Sequence, residues 1–256
     1  MYYPNVLGRQ LVAQNSPAAR LYFKLDKLAI KVANKYISLT DAMTEEFADA
    51  FDLPMENAVT IYCGVDEDRF ASREGGNNDS NVDVNILYWG NYINFHGVSE
   101  LLSAAESHPD KEFVFLGDGG SRTEIMEDAK RKSLDNVKFE GFVDNKTLLA
   151  YIDAADLVSN RLVHNPHGDI GIGNKAAEAA YFSKPMLSVD SPAICELFED
   201  GETAVLLEDR TMVSDRIGQF YEMEKEGSIG DQAGEVYDEF MEPEIAADRF
   251  LGNADD

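Results

Sequence analysis

Only two cysteines, Cys63 and Cys195, occur in the 256 residues. They lie far apart, each in an apolar stretch, so neither a disulfide framework nor a zinc site is indicated and a reducing cytoplasm fits. Long hydrophobic runs are missing too. No stretch reaches the roughly 18 apolar residues that a membrane span requires, and the amino-terminal "MYYPNVLGRQLVAQ" lacks the charged-then-apolar pattern of a secretory signal. The sequence predicts a cytoplasmic protein, at most peripheral at the inner membrane face. Positive charge is scarce: 22 Lys and Arg stand against 48 Asp and Glu, for a formal net charge of −26. That balance disfavours nucleic acid as a partner.

The carboxylates form no tail but are spread over "DVD", "EIMED", "ELFEDGE" and "EVYDEFMEPE". An acidic coat of this kind suits molar salt, where the Debye length falls to about 3 Å and self-repulsion is screened. A halophilic protein is the expectation, and an ordinary acidic cytosolic one the plain alternative. With 44% hydrophobic residues, 14 Phe and 11 Tyr, the chain can bury a core and is not disordered.

From Val84 onward, short apolar runs alternate with amphipathic segments. "VNILYW", "EFVFLG", "NVKFEGF", "DLVSN", "KPMLSV" and "TAVLLE" read as strands, with helices such as "VSELLSAAES", "KTLLAYIDAA" and "NKAAEAAYF" between them. This pattern predicts an α/β fold of about six strands, a Rossmann-like doubly wound parallel sheet. Residues 72–81, "SREGGNNDSN", read as a linker, dividing the chain into 1–71 and 72–256. The leading part offers a helix over about 17–34, a strand "KYISL", a helix opened by Thr40 or Asp41, and a strand "AVTIYCGV". About seventy residues with two strands cannot close a separate doubly wound sheet, so this part reads as the remnant of an N-terminal domain whose beginning is absent. The end of the chain predicts two short helices broken at Pro243.

Ligands of open α/β sheets bind at the carboxyl ends of strands, and three loops stand there. "GNYINFHGVSELL" frames Asn91 and His96 between Gly90 and Gly97 ahead of a helix, where backbone N–H groups can face an anion. "FVFLGDGGSRTEI" resembles a dinucleotide fingerprint, but Arg122 stands where the third glycine belongs, so it reads as a turn. In "DIGIGNKAAEAAYFSKPM", Gly171 and Gly173 let the backbone approach a ligand, the helix start near Asn174 supplies partial positive charge, and Lys175 adds a full one. Glu178, one turn on, suits the vicinal hydroxyls of a ribose. The alternative is a plain loop with Lys175 and Glu178 as a solvated pair. Just upstream, Arg161, His164, His167 and Asp169 lie in "NRLVHNPHGD". Its proline and glycine make a loop with no common ligand face, so a polar substrate-facing loop is favoured over a metal site.

In order and spacing, "TIYCGVDEDRF", "LYWGNYINFHGVSELLSAA", "FVFLGDGG", "NVKFEGFVDNKTLLAYIDAADLV" and "GNKAAEAAYFSKPMLSVDSPAICELFEDGETAVLL" resemble the C-terminal half of GT-B glycosyltransferases of the family 4 type, over residues 35–256. The resemblance implies a nucleotide-sugar co-substrate, no required metal, and transfer of a hexose-type sugar with retention to an acceptor that is a glycan, a lipid or a small molecule. It places Gly90 and the 91–97 loop, with Asn91, His96 and Gly97, at the diphosphate. Phe142 and Val143 meet the base through their backbone. The 168–175 loop, with Asp169, Ile170, Gly171, Gly173, Asn174 and Lys175, holds sugar and diphosphate, and Glu178 the ribose.

No catalytic side chain is assigned. Asn91 and His96 stand where many members carry Arg and Lys. Of the common Glu-x7-Glu pair, the first position holds Ile170 beside Asp169. Lys175, shared with an Asn-Lys subgroup, takes over some of the charge. The competing expectations are a non-catalytic nucleotide-binding or scaffold remnant that partners a true transferase, and a sugar-nucleotide epimerase. Apolar spacing in "LYFKLDKLAIKVA" predicts a face for self-association or a partner chain through residues 1–71.

Overall fold

The computed structural model describes residues 13, 16–33, 35–70, 82–223 and 228–252. The expected linker at 72–81 lies outside them. The first described helix is α1 (Pro17–Lys31), whose N-cap Ser16 accepts from the Ala19 amide at 3.1 Å, with proline at the first turn. It ends three residues short of the expected position. Strand β1 (Tyr36–Ser38) follows, then α2 (Asp41–Phe51), β2 (Ala58–Thr60) and the single turn α3 (Glu67–Phe70). Of the two cap candidates, Thr40 is the N-cap, accepting from the Met43 amide at 3.0 Å. β1 and β2 pair in parallel as a two-stranded sheet.

The main sheet alternates with helices as the apolar pattern predicts: β3 (Ile86–Trp89), α4 (Val98–Ser107), β4 (Phe113–Leu116), α5 (Arg122–Arg131), β5 (Val137–Phe139), α6 (Asn145–Ala154), β6 (Leu157–Ser159), α7 (Asn174–Tyr181), β7 (Met186–Val189), β8 (Val205–Leu207) and α8 (Val213–Met223). A 3₁₀ turn, Ile194–Glu196, lies between β7 and β8. Two further helices, α9 (Ser228–Phe240) and α10 (Pro243–Leu251), follow with the break at Pro243.

All six strands are parallel, in the order β5-β4-β3-β6-β7-β8. The chain winds outward in one direction from β3 and in the other from β6, which makes the β3–β6 junction the topological switch point. Strands covered on both faces are apolar along their whole length, and β3, β4 and β7 are buried throughout. Alternation sends Ile86 and Tyr88 to one core, with α4, α5 and α8, and Leu87 and Trp89 to the other, with α6, α7 and α9. Gly117, at φ 102°, shows how tightly the strand ends meet: a Cβ there would stand 2.2 Å from the Gly90 carbonyl oxygen.

The N-terminal unit is fastened to the sheet by identifiable bonds. Both carboxylate oxygens of Glu196 accept from the first amides of α2, Ala42 at 2.7 Å and Asp41 at 2.8 Å, and a carboxylate at a helix N-terminus also complements its dipole. Thr40 donates to the Ile170 carbonyl at 2.5 Å. α10 returns to the unit, with the Arg249 guanidinium 5.4 Å from the Tyr62 ring centre. On the outer side of α1, Leu21, Leu25 and Leu28 are exposed. Replacing Glu196 by Ala is expected to cost about 1–2 kcal/mol of local stability. Amide exchange should then accelerate across residues 41–51 and remain unchanged in β3.

Candidate functional site

The loops after β3 and β6 part at the switch point and leave a crevice, and α7 points its N-terminus into it. The two loops touch. Gly97, at φ 75°, sits so close to Leu162 that an added Cβ would lie 2.5 Å from the Leu162 Cβ. The 91–97 loop is folded by its own polar groups. The Tyr88 hydroxyl donates to the Asn91 carbonyl, and His96 Nδ1 lies 2.8 Å from both Tyr88 Oη and the Asn91 oxygen. Burial, with Lys175 nearby, pushes the His96 imidazole down to about 4. His96 is therefore neutral at pH 7 and takes part as a hydrogen-bonding group rather than as a cation.

Gly173, at φ 82°, precedes α7 and offers no side chain to cap it. The first N–H groups of the helix therefore present their partial charge to the crevice. In the first turn, Lys175 donates to the Asn160 carbonyl at 2.9 Å and lies 4.4 Å from the centre of the Tyr88 ring. Burial pushes this ammonium from 10.5 down to about 7; Glu178 opposes the shift and Arg161 adds to it. A cation held without full compensation is poised to accept an anion.

Glu178 is 6% exposed. Its Oε2 accepts from Trp89 Nε1 at 2.8 Å and its Oε1 from the Arg69 guanidinium at 3.0 Å. The alternative of a solvated Lys175–Glu178 surface pair is thereby overturned, because the alanines of "NKAAEAAY" draw α7 onto the sheet and carry Glu178 under it. Arg69 Nε also reaches Asn145 Oδ1 at 3.4 Å, and Asn145 Nδ2 donates back to the Arg69 carbonyl at 3.1 Å. Asn145 opens α6 directly after the Phe142–Val143 loop, which crosses the end of β4 through a bond from the Gly117 amide to the Gly141 carbonyl at 2.9 Å. Phe142 is 79% exposed there, and Val143 packs on the core.

The 161–171 loop is built around Arg161, which is buried and donates to the Gly168 carbonyl, to Ser191 Oγ at 3.0 Å and to Asp169 at 3.3 Å. Its Nε has no partner among the described residues. Asp169 also accepts from the Asn165 amide at 3.2 Å and pairs with His164 at 3.1 Å. The polar groups of Asp169 thus close the loop, and the Ile170 carbonyl is taken by Thr40. Gly171 follows, its amide bound to the Gly168 carbonyl at 3.0 Å. Asn174 Oδ1 is 3.8 Å from the Cys63 sulfur. His164 also contacts Asp190 at 3.3 Å, while His167 is exposed and donates its amide to Asn165 Oδ1 at 3.1 Å.

The sequence named Arg161 as part of a polar substrate-facing loop but did not single out Arg69 or Trp89 for this crevice. Arg161 had a signal, since it follows β6 at a strand's carboxyl end. Arg69 had none, because its neighbours are distant in the chain. The crevice offers a helix N-terminus and a half-buried ammonium for an anion, and a carboxylate for hydroxyl groups.

The family model described as "Glycosyl transferases group 1" matches residues 83–223, more than half of the chain. The 2-deoxystreptamine N-acetyl-D-glucosaminyltransferase of Niallia circulans is 29% identical over 126 residues, 47% of this chain and 31% of that protein. A glycogen synthase of Mycobacterium tuberculosis is 23% identical over 205 residues, 77% of this chain and 47% of that protein. The chain thus spans less than half the length of these relatives. Anabaena HepE, in a crystal structure with UDP and glucose, shares the fold at a TM-score of 0.72 and 19% identity, over 93% of this chain and 68% of that one. Sucrose-phosphate synthase from Thermosynechococcus elongatus does so at 0.72 and 17%, over 93% and 63%.

The depressed Lys175 gives a signed expectation. Between pH 7 and 10.5 the unfolded chain holds this proton and the folded one releases it, so stability rises with pH across that window. Urea unfolding should show the wild type gaining on Lys175→Met by on the order of 1 kcal/mol per pH unit there.

Proposed function

Because the chain belongs to the group 1 glycosyl transferases, we propose that it binds a nucleotide-sugar donor at the switch-point crevice and acts in retaining transfer of a hexose-type sugar to an acceptor. The observation that carries this reading is the pairing of Lys175, at the uncapped start of α7, with Glu178 one turn deeper. The diphosphate takes the α7 N-terminus, Lys175 and the Gly90–Gly97 loop. Glu178 takes the ribose hydroxyls and the backbone of Phe142 and Val143 the base. The 168–175 loop borders the sugar.

As the nucleoside diphosphate departs, negative charge develops on it, and preorganised positive groups lower the barrier. Lys175 supplies that charge and Arg161 reinforces the local field, so no metal is required in this reading. The acceptor, whether glycan, lipid or small molecule, is met from the side of residues 1–71, and the protein works in the cytoplasm or at the inner membrane face. A scaffold that pairs with another transferase is favoured by one observation, the exposed Leu21, Leu25 and Leu28 of α1.

Thermal unfolding in molar KCl with UDP, GDP, ADP and CDP tests the donor site. A bound diphosphate at a hundred times its dissociation constant stabilises by about 2.7 kcal/mol, and Lys175→Ala should abolish the shift. Binding at pH 8 should also take up a proton, because the anion restores the charge of an ammonium that is neutral when the site is empty. Calorimetry in buffers of different ionisation enthalpy reads this uptake directly. No stabilisation by any diphosphate would reject the donor site. Sedimentation in high salt should show association, relieved by Leu25→Glu with Leu28→Glu; a strict monomer would reject the interaction face.

A further inference from the structure

The carboxylate of Glu178 is gripped from two sides, one donor on each oxygen: the Trp89 indole at 2.8 Å and the Arg69 guanidinium at 3.0 Å. An ionised carboxylate has about four acceptor positions. One remains on each oxygen. Two free acceptors on adjacent oxygens of one planar group match two hydroxyls on adjacent carbons. The grip fixes the rotation of the carboxylate, which a lone buried Glu would not hold.

Arg69 does more than pair. Through Nε and its carbonyl it is bonded twice to Asn145, at 3.4 and 3.1 Å, and Asn145 opens the helix that follows the Phe142–Val143 loop. One side chain, carried on α3 in the segment that leads from the N-terminal unit, therefore connects the carboxylate to the loop across the crevice. Its side chain is 42% exposed, so it can be replaced without opening a cavity. Trp89, by contrast, belongs to the core.

We propose that Arg69 is a positioning residue that orients Glu178 toward a 2′,3′-diol and makes the site selective for ribonucleoside over 2′-deoxyribonucleoside diphosphates. The proposal rests on the assignment of Glu178 to the ribose made above. Lysine is a poor substitute at this position, because a single ammonium lacks the fork that reaches Glu178 and Asn145 together.

The test is titration calorimetry of the whole chain with UDP, GDP, ADP and CDP and their 2′-deoxy counterparts, with thermal unfolding of each variant to verify folding. The wild type should prefer the best ribonucleotide by about tenfold or more, the worth of one hydrogen bond to a charged group. Arg69→Ala should bring that ratio close to one, mainly by weakening the ribonucleotide, and Arg69→Lys should recover it only in part. An unchanged ratio in Arg69→Ala, or equal weakening of both ligands, would overturn the positioning role. If the wild type itself binds none of these ligands, or does not discriminate, the ribose assignment fails and the proposal with it. That failure is separable because it appears before any substitution is made.

Discussion

A carboxylate buried under a helix of alanines has to find compensating donors, and the way Glu178 finds them organises the rest of the molecule. An uncompensated buried charge would cost several kcal/mol. Its two partners come from different places: Trp89 from the last position of β3, and Arg69 from the segment that leads out of the N-terminal unit. The same pair of bonds therefore joins the central strand, the helix of the switch point and the connection between the two units. Small residues make this possible, since Ala176, Ala177, Ala179 and Ala180 let α7 settle onto the sheet and bring Glu178 within reach of the indole.

The electrostatics of the crevice run against those of the whole. A chain with a net charge of −26 gathers Lys175, Arg161 and a neutral His96 around one opening. Their mutual influence is visible in the direction of their shifts: burial and neighbouring positive charge push both Lys175 and His96 down. Surface carboxylates lose most of their long-range effect in salt, whereas groups inside the crevice are screened far less. The local positive field thus persists where the acidic coat is neutralised by counterions.

The N-terminal unit contributes to this crevice although, among the described residues, its own sheet has only two strands. Glu196 clasps the start of α2, Thr40 holds the Ile170 carbonyl, and Arg69 reaches Glu178. The loop that closes on Asp169 is consequently fixed from both units. Asp169 itself is spent on Arg161, His164 and the Asn165 amide, so the acid beside Ile170 organises the loop from within.

Much of this was legible in the linear sequence, because it rests on local rules. Short apolar runs gave the six strands, five of them buried throughout, Thr40 and Pro243 marked helix boundaries, and the residues after each run pointed to Gly90–Gly97 and Gly171–Glu178. Period-2 and period-3.6 patterns are set within a few residues, so no tertiary knowledge is needed to find them. The pairings were not legible. Whether Glu178 was solvated or buried depended on how closely α7 approaches β3. Whether Arg69 belonged to the crevice depended on a contact across 109 residues of chain, and which groups Arg161 would bind on contacts as far as 30 residues away. By itself the sequence determined the order of elements and the loops that meet at the strand ends. Only the tertiary structure decided which charges face one another there, because charge pairing follows distance in space and burial, neither of which is encoded by spacing along the chain.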